Sequence, residues 1–173
     1  MTTRDPLERS LVGPAGEHWV LYCLYRRGIL AAQAPPGVPE VDILVLDAHH
    51  QVSASVQVKT RTRGADRGWA CQPKHESIED PGLFYALVDL QDDPPATYIL
   101  PSTVVAAVLR SNHREWVSRP GKSGQPHKDE GNKVRRLRPN YGDLAPGFED
   151  GWMEPYRDGW ELLSTEPRKV GAA

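Results

Sequence analysis

Cysteine is nearly missing from this chain: among its 173 residues only Cys23 and Cys71 carry thiols, far apart and without CxxC spacing. That excludes a disulfide framework and a zinc knuckle and leaves both as reduced packing residues. Long apolar runs are missing as well. No stretch approaches the ~20 residues that cross a bilayer, and the opening Met1 to Pro6 has no signal-peptide core. The expectation is a cytoplasmic protein with no membrane partner. Nor is there an excess of charge of one sign, since 21 Lys and Arg stand against 23 Asp and Glu. A wholly basic nucleic-acid coat is thereby excluded. No GxSxG elbow and no internal repeat occur. Gly121-Lys122-Ser123 fails as a phosphate-binding loop, because Trp116 takes the place of the required first glycine and no apolar strand leads into it.

What is present suits one globular unit, 39% hydrophobic and 25% charged. The charge is unevenly spread. Residues 110–138 hold nine Lys or Arg against three acids, a local balance of +6, whereas 141–166 hold seven acids against Arg157, a balance of −6. Gly13-Pro14 followed by residues 15–27 predicts a helix that stops at Gly28. Val20, Leu21 and Leu24 form its apolar stripe, with the carboxylate of Glu17 on the same side. Residues 61–81 read as a polar connection with a short helix. Residues 83–89 and 97–100 are strands, and Ser102 is expected to cap a helix carrying Val104, Val105, Val108 and Leu109. Tyr156, Trp160 and Leu163 are spaced for a C-terminal helix over 156–163. The six histidines show no zinc spacing, and His49 and His50 fall in a turn.

Two β-branched runs, Val41 to Leu46 and Val52 to Lys59, flank the polar stretch Asp47 to Gln51 and predict a hairpin. With the turn centred between His49 and His50, Asp42 opposes Gln57. Val41, Ile43, Val45, Ala54, Val56 and Val58 then share an apolar face, and Asp42, Leu44, Leu46, Ser53, Ser55, Gln57 and Lys59 share the other. An acid, an amide and an amine thus meet on one side.

Glu17, Asp42 and Gln57-Val58-Lys59, in helix-then-hairpin order, resemble the PD-(D/E)xK nuclease superfamily, Gln57 to Thr60 is similar to its QxK variants, and the late helix with Tyr156 to Trp160 resembles small uncharacterised bacterial members. The likeness implies a restriction-endonuclease-like α/β fold, a mixed central sheet flanked by helices, over one nuclease-like domain of residues 1–173. Its core would span about 13–109, with a basic loop region at 110–138. It further implies a Mg²⁺- or Mn²⁺-dependent endonuclease acting on DNA in repair or defence, with homodimers as one way to cut both strands. By the same likeness Glu17, Asp42, Gln57 and Lys59 are the catalytic set. Asp42, the Val58 carbonyl, Glu17 and Gln57 are the metal ligands, and Lys59 orients water or steadies developing negative charge. Gln57, being neutral where the family's majority has an acid, implies weaker metal binding.

Other accounts stay open on the residues themselves. Asp42 and Lys59 also suit a cross-strand ion pair. Arg135, Arg136 and Arg138 suit either a phosphate backbone or a solvated loop. A nuclease-fold module without catalysis, binding DNA or a protein, is the alternative that Gln57 favours; a plain interaction domain is a third.

Overall fold

The apolar alternation on either side of Asp47 to Gln51 produces the hairpin at the centre of a five-stranded sheet. The structure is a computed structural model that describes residues 8–62, 68–121, 124–125, 127 and 133–164. Its strands are β1 (Ala31–Gln33), β2 (Ile43–Leu46), β3 (Val52–Arg61), β4 (Trp69–Cys71), β5 (Leu83–Asp89), β6 (Ala96–Pro101) and β7 (Arg135–Leu137), and its helices are α1 (Arg9–Arg26) and α2 (Ser102–Ser118). The main sheet runs β1-β2-β3-β5-β6. Only β3 and β5 are parallel, and β4 pairs with β7 in a separate small sheet. The fold is therefore α/β, with a mixed central sheet flanked by two helices, as expected.

Alternation along β3 and β5 divides the core between the two faces of the sheet. Ile43, Val45, Ala54, Val56, Val58, Ala86 and Val88 meet Val20, Cys23 and Leu24 of α1. Leu83, Tyr85, Leu87, Tyr98 and Leu100 meet Val105, Val108 and Leu109 of α2 together with Trp69, Cys71 and Leu137 of the small sheet. Parallel pairing of β3 with β5 demands a crossover. The described part of that connection, from residue 68 on, lies on the α2 side, where Trp69 is fully buried and donates its indole N–H to the Val88 carbonyl at 2.9 Å. The Arg61 guanidinium lies 3.8 Å over the Trp69 ring and pairs with Asp89 at 2.6 Å.

Several local expectations are corrected. The register that opposes Ile43 to Val56 and Val45 to Ala54 holds, but it shifts between Val45 and Leu46, which faces Val52. The turn is accordingly centred on His49, with Asp47 and Gln51 paired at its base; Asp47 Oδ1 accepts the amides of His49 and Gln51. Val41 leaves the apolar face assigned to it and joins the α2 side of the core, because the pairing slips at Asp42, whose N–H bonds the Val56 carbonyl at 2.9 Å. Helix α1 begins at Arg9, before Pro14. Ser102 caps nothing: its hydroxyl donates to the Asp80 carbonyl at 2.6 Å and accepts the Asp80 amide at 2.9 Å. Residues 156–163 form no continuous helix, and only Trp160–Leu163, as a short 3-10 helix, packs Trp160 and Leu163 into the body. The segment breaks into 3-10 turns, Glu154–Tyr156 and Trp160–Leu163, because Arg157 bridges to Tyr98 and the Asp158 amide bonds the Thr97 carbonyl, tying the chain to the edge of β6. No described helix is long and apolar enough to cross a membrane.

Candidate active site

Strands β2 and β3 part company at Asp42, and the chemistry collects in the opening. The Ala34 amide holds the Asp42 carbonyl at 2.9 Å, which fastens this end of β2 toward β1. Glu40, two residues earlier, sits at φ 56°, a left-handed turn that leads the chain into the strand. The carboxylate of Asp42 reaches across to β3, where its Oδ2 accepts the Val58 backbone N–H at 2.7 Å and the Gln57 side-chain amide at 3.2 Å.

Gln57 is 9% exposed, and its remaining polar atom, Oε1, is buried without a hydrogen-bond partner. Its amide nitrogen faces a carboxylate, so the oxygen must be the orphan. A buried unpaired carbonyl oxygen is costly unless something else completes it. Lys59 follows two residues along the same face, between the environments of Cys71 and His75. Its ammonium lowers the proton affinity of both, although burial dominates and holds the Cys71 thiol near 11. His75 is 1% exposed and bonds the Tyr85 hydroxyl at 2.9 Å, while Tyr85 stands beside Gln57 in the β3–β5 register.

Glu17 arrives from the opposite face. A Cβ on its neighbour Gly16 would lie 1.9 Å from Thr60 Oγ1, so only glycine lets α1 approach β3 this closely. Glu17 accepts a long contact from Gln33 at 3.5 Å. Partial burial raises its carboxyl pKa, and the Asp42 charge raises it further. The two acids therefore share one electrostatic environment. Glu17, Asp42, Gln57 and Lys59, singled out in the sequence, are brought to one end of the sheet from both of its faces.

Among the described residues no cluster of three or more His, Cys, Asp or Glu side chains is arranged to hold a metal. An ion at this corner would depend on neutral oxygens in addition to two carboxylates. The donor set fits that description: Asp42 and Glu17 supply charge, and Gln57 Oε1 is an oxygen in need of a partner. Hard oxygen donors of this kind suit Mg²⁺ or Mn²⁺.

The structure adds neighbours that went unpredicted. Glu40 is ion-paired with Lys74, and its charge reaches both His75 and Tyr85. Its i−2 spacing from Asp42 was a usable signal, whereas nothing local marked Gln33, His75 or Tyr85. Arg135 is corrected. It is 8% exposed, ion-paired with Glu76 and bonded to His113 at 3.1 Å and to the Lys133 carbonyl at 2.8 Å, so its guanidinium is committed within the fold. Arg136 and Arg138, half-buried, line a cavity.

No family model matches the sequence, and no curated protein matches it. Among solved structures the fold is similar to that of a bacterial homing endonuclease, with a TM-score of 0.48 and 11% identity, covering 90% of this chain and 93% of that one.

Proposed function

We propose that the corner formed by Asp42, Gln57 and Lys59, with Glu17 beside it, is a divalent-metal-dependent phosphodiesterase site that cleaves DNA. The observation that carries this reading is Gln57 Oε1, a buried oxygen with no protein partner beside a carboxylate whose Oδ2 is already fixed by two donors. Asp42, Gln57 Oε1, the Val58 carbonyl and Glu17, directly or through water, are the groups that would hold Mg²⁺ or Mn²⁺. When bound, the ion would polarise a phosphoryl oxygen and make a water more acidic. The chain's own residues do the rest. The Val58 amide and the Gln57 side chain hold Asp42 in one orientation, so little reorganisation accompanies reaction. Lys59 places a positive charge next along the face, where it orients the attacking water or steadies charge on the phosphorane. Glu17, whose carboxyl pKa is raised by partial burial and by the Asp42 charge, holds a proton more readily than an ordinary glutamate.

Supercoiled and branched DNA incubated with the protein in Mg²⁺ or in EDTA tests the proposal. Cleavage is expected only with metal and is lost in Asp42→Ala and Lys59→Ala. Cleavage indifferent to both substitutions removes the mechanism.

A second reading keeps the fold and drops the hydrolysis. It is favoured by the direct Gln57–Asp42 hydrogen bond, which ties up the acid with a neutral partner. Salt-sensitive DNA binding with neither metal uptake nor cleavage is the result that selects it.

A further inference from the structure

A groove runs along the flank of α1, between its last two turns and the turn that joins β5 to β6. It encloses about 540 Å³, within the range of small-molecule sites, and shares no residue with the Asp42 corner. Trp19 and Tyr22 form one wall, and Pro94 and Pro95 of the turn form the other. Trp19 is anchored, because its indole N–H bonds Thr97 Oγ1 on β6 at 2.9 Å. Tyr22 stacks on it with centroids 5.6 Å and planes 29° apart, yet stays 52% exposed. A ring held by its neighbour and half open to solvent offers a π face to a planar guest.

The charges around the ring narrow the choice of guest. Arg26 follows Tyr22 by one helical turn and lies beside it at the exposed rim. Arg27 and Arg157 border the groove in fixed positions. The Arg27 guanidinium lies 4.9 Å from the Trp160 ring centroid, and Arg157 bonds the Tyr98 hydroxyl at 2.7 Å and pairs with Glu154 at 3.0 Å. Against these three guanidinium groups stand Asp92 and Asp158 among the described residues. A rim so mixed holds no phosphate by charge alone, and its guanidinium groups disfavour a cationic side chain on the ring.

A nucleotide suits the whole set, since its base stacks on an aromatic ring, its base edge carries donors for a carboxylate and its phosphate meets a guanidinium. Tyr22 lies five residues beyond Glu17 on α1, roughly 7.5 Å along the helix axis. A frayed or branched end at the Asp42 corner therefore comes within reach of the groove. We infer that this groove takes an unpaired nucleobase of a nucleic-acid strand, stacked on Tyr22 with its phosphate at Arg26. That the base belongs to a strand rests on the function proposed above; the stacking does not.

The test is fluorescence anisotropy on the full chain carrying Lys59→Ala, in EDTA, so that binding is read without cleavage. The probes are a blunt duplex, the same duplex with a single-stranded 3′ overhang, and that overhang with abasic sites. Tyr22→Ala is expected to weaken binding of the overhang about tenfold and to leave the blunt duplex unchanged. Tyr22→Phe, which keeps the ring, should bind like the parent, and abasic sites should cost the parent what Tyr22→Ala costs. Arg26→Ala should lower the slope of log K against log salt for the overhang by about 0.7. Free dAMP should compete only at far higher concentration than the overhang strand; equal competition assigns the groove to a free nucleotide and overturns the strand. Overhang binding that neither Tyr22→Ala nor the abasic sites weaken overturns the inference, as does a loss in Tyr22→Ala that the blunt duplex shares equally. A self-associated protein that Tyr22→Ala turns into a monomer in sedimentation assigns the ring to a second copy and overturns it too. Wild-type protein in Mg²⁺ separates the two ideas: metal-dependent cleavage with overhang binding indifferent to Tyr22 removes only the groove, whereas Tyr22-dependent overhang binding without cleavage removes only the hydrolysis.

Discussion

The carboxylate of Asp42 receives the backbone N–H of Val58 at 2.7 Å across the mouth of the β2–β3 hairpin. A charge-assisted bond of this kind fixes both the side chain and the point where the strands diverge. Asp42→Ala strands the Val58 donor and is expected to cost about 1–3 kcal/mol, whereas Asp42→Asn keeps an acceptor and costs less. Both should lose metal-dependent cleavage by roughly 10²-fold or more. Chemical denaturation and plasmid nicking, run in parallel, separate the two effects. An Asp42→Asn protein that still cuts would show that the carboxylate charge is not used.

Gln57→Glu exchanges the amide that donates to Asp42 for a second anion at hydrogen-bond distance. Without metal the two carboxylates repel, so the melting temperature at pH 7 should fall below that of the parent. Added Mn²⁺ should then raise it by more than it raises the parent, because the variant offers a fuller anionic ligand set. Equal shifts with and without the substitution would argue against an ion at this corner.

Gly16→Ala drives a methyl into Thr60, and overpacking of this kind costs about 1–3 kcal/mol. Displacement of α1 would also carry Glu17 away from Asp42. Adding Thr60→Ala removes the hydroxyl that blocks the methyl and should restore part of the lost stability. Urea midpoints of the two single variants and the double variant give the coupling directly, and strict additivity would contradict the close approach.

His75 links stability to pH. Burial first, and the Lys59 charge second, hold its pKa down to about 4, against 6.5 for the free side chain. Between those values the unfolded chain binds more protons than the folded one, so stability must fall as pH drops from about 6.5 to about 4. The full effect is about 3 kcal/mol. His75→Gln has no proton to gain and should lack this component of the acid slope, which urea denaturation across the window measures.

Legibility followed the local pattern. Alternating β-branched residues made β2, β3, β5 and β6 readable, and with them the face of β3 that carries Gln57 and Lys59, whereas Asp42 lies just before β2, outside the paired register. The pattern failed where tertiary contacts override it. Val41 changes sides because the strands diverge beside it, and 156–163 is no continuous helix while Arg157 is bridged to Tyr98. Strands of three residues such as β4 and β7 are too short to show a period. Arg135 looked like its neighbours until Glu76, 59 residues away, was seen to hold it, and no spacing rule anticipates that partnership.

Crystals soaked in Mn²⁺, with diffraction recorded at the manganese edge, test the central claim most directly. The account requires an anomalous peak within coordination distance of Asp42 and Gln57 Oε1, absent from Asp42→Asn crystals. Soaked wild-type crystals with no peak there, or with the same peak after the substitution, would contradict it.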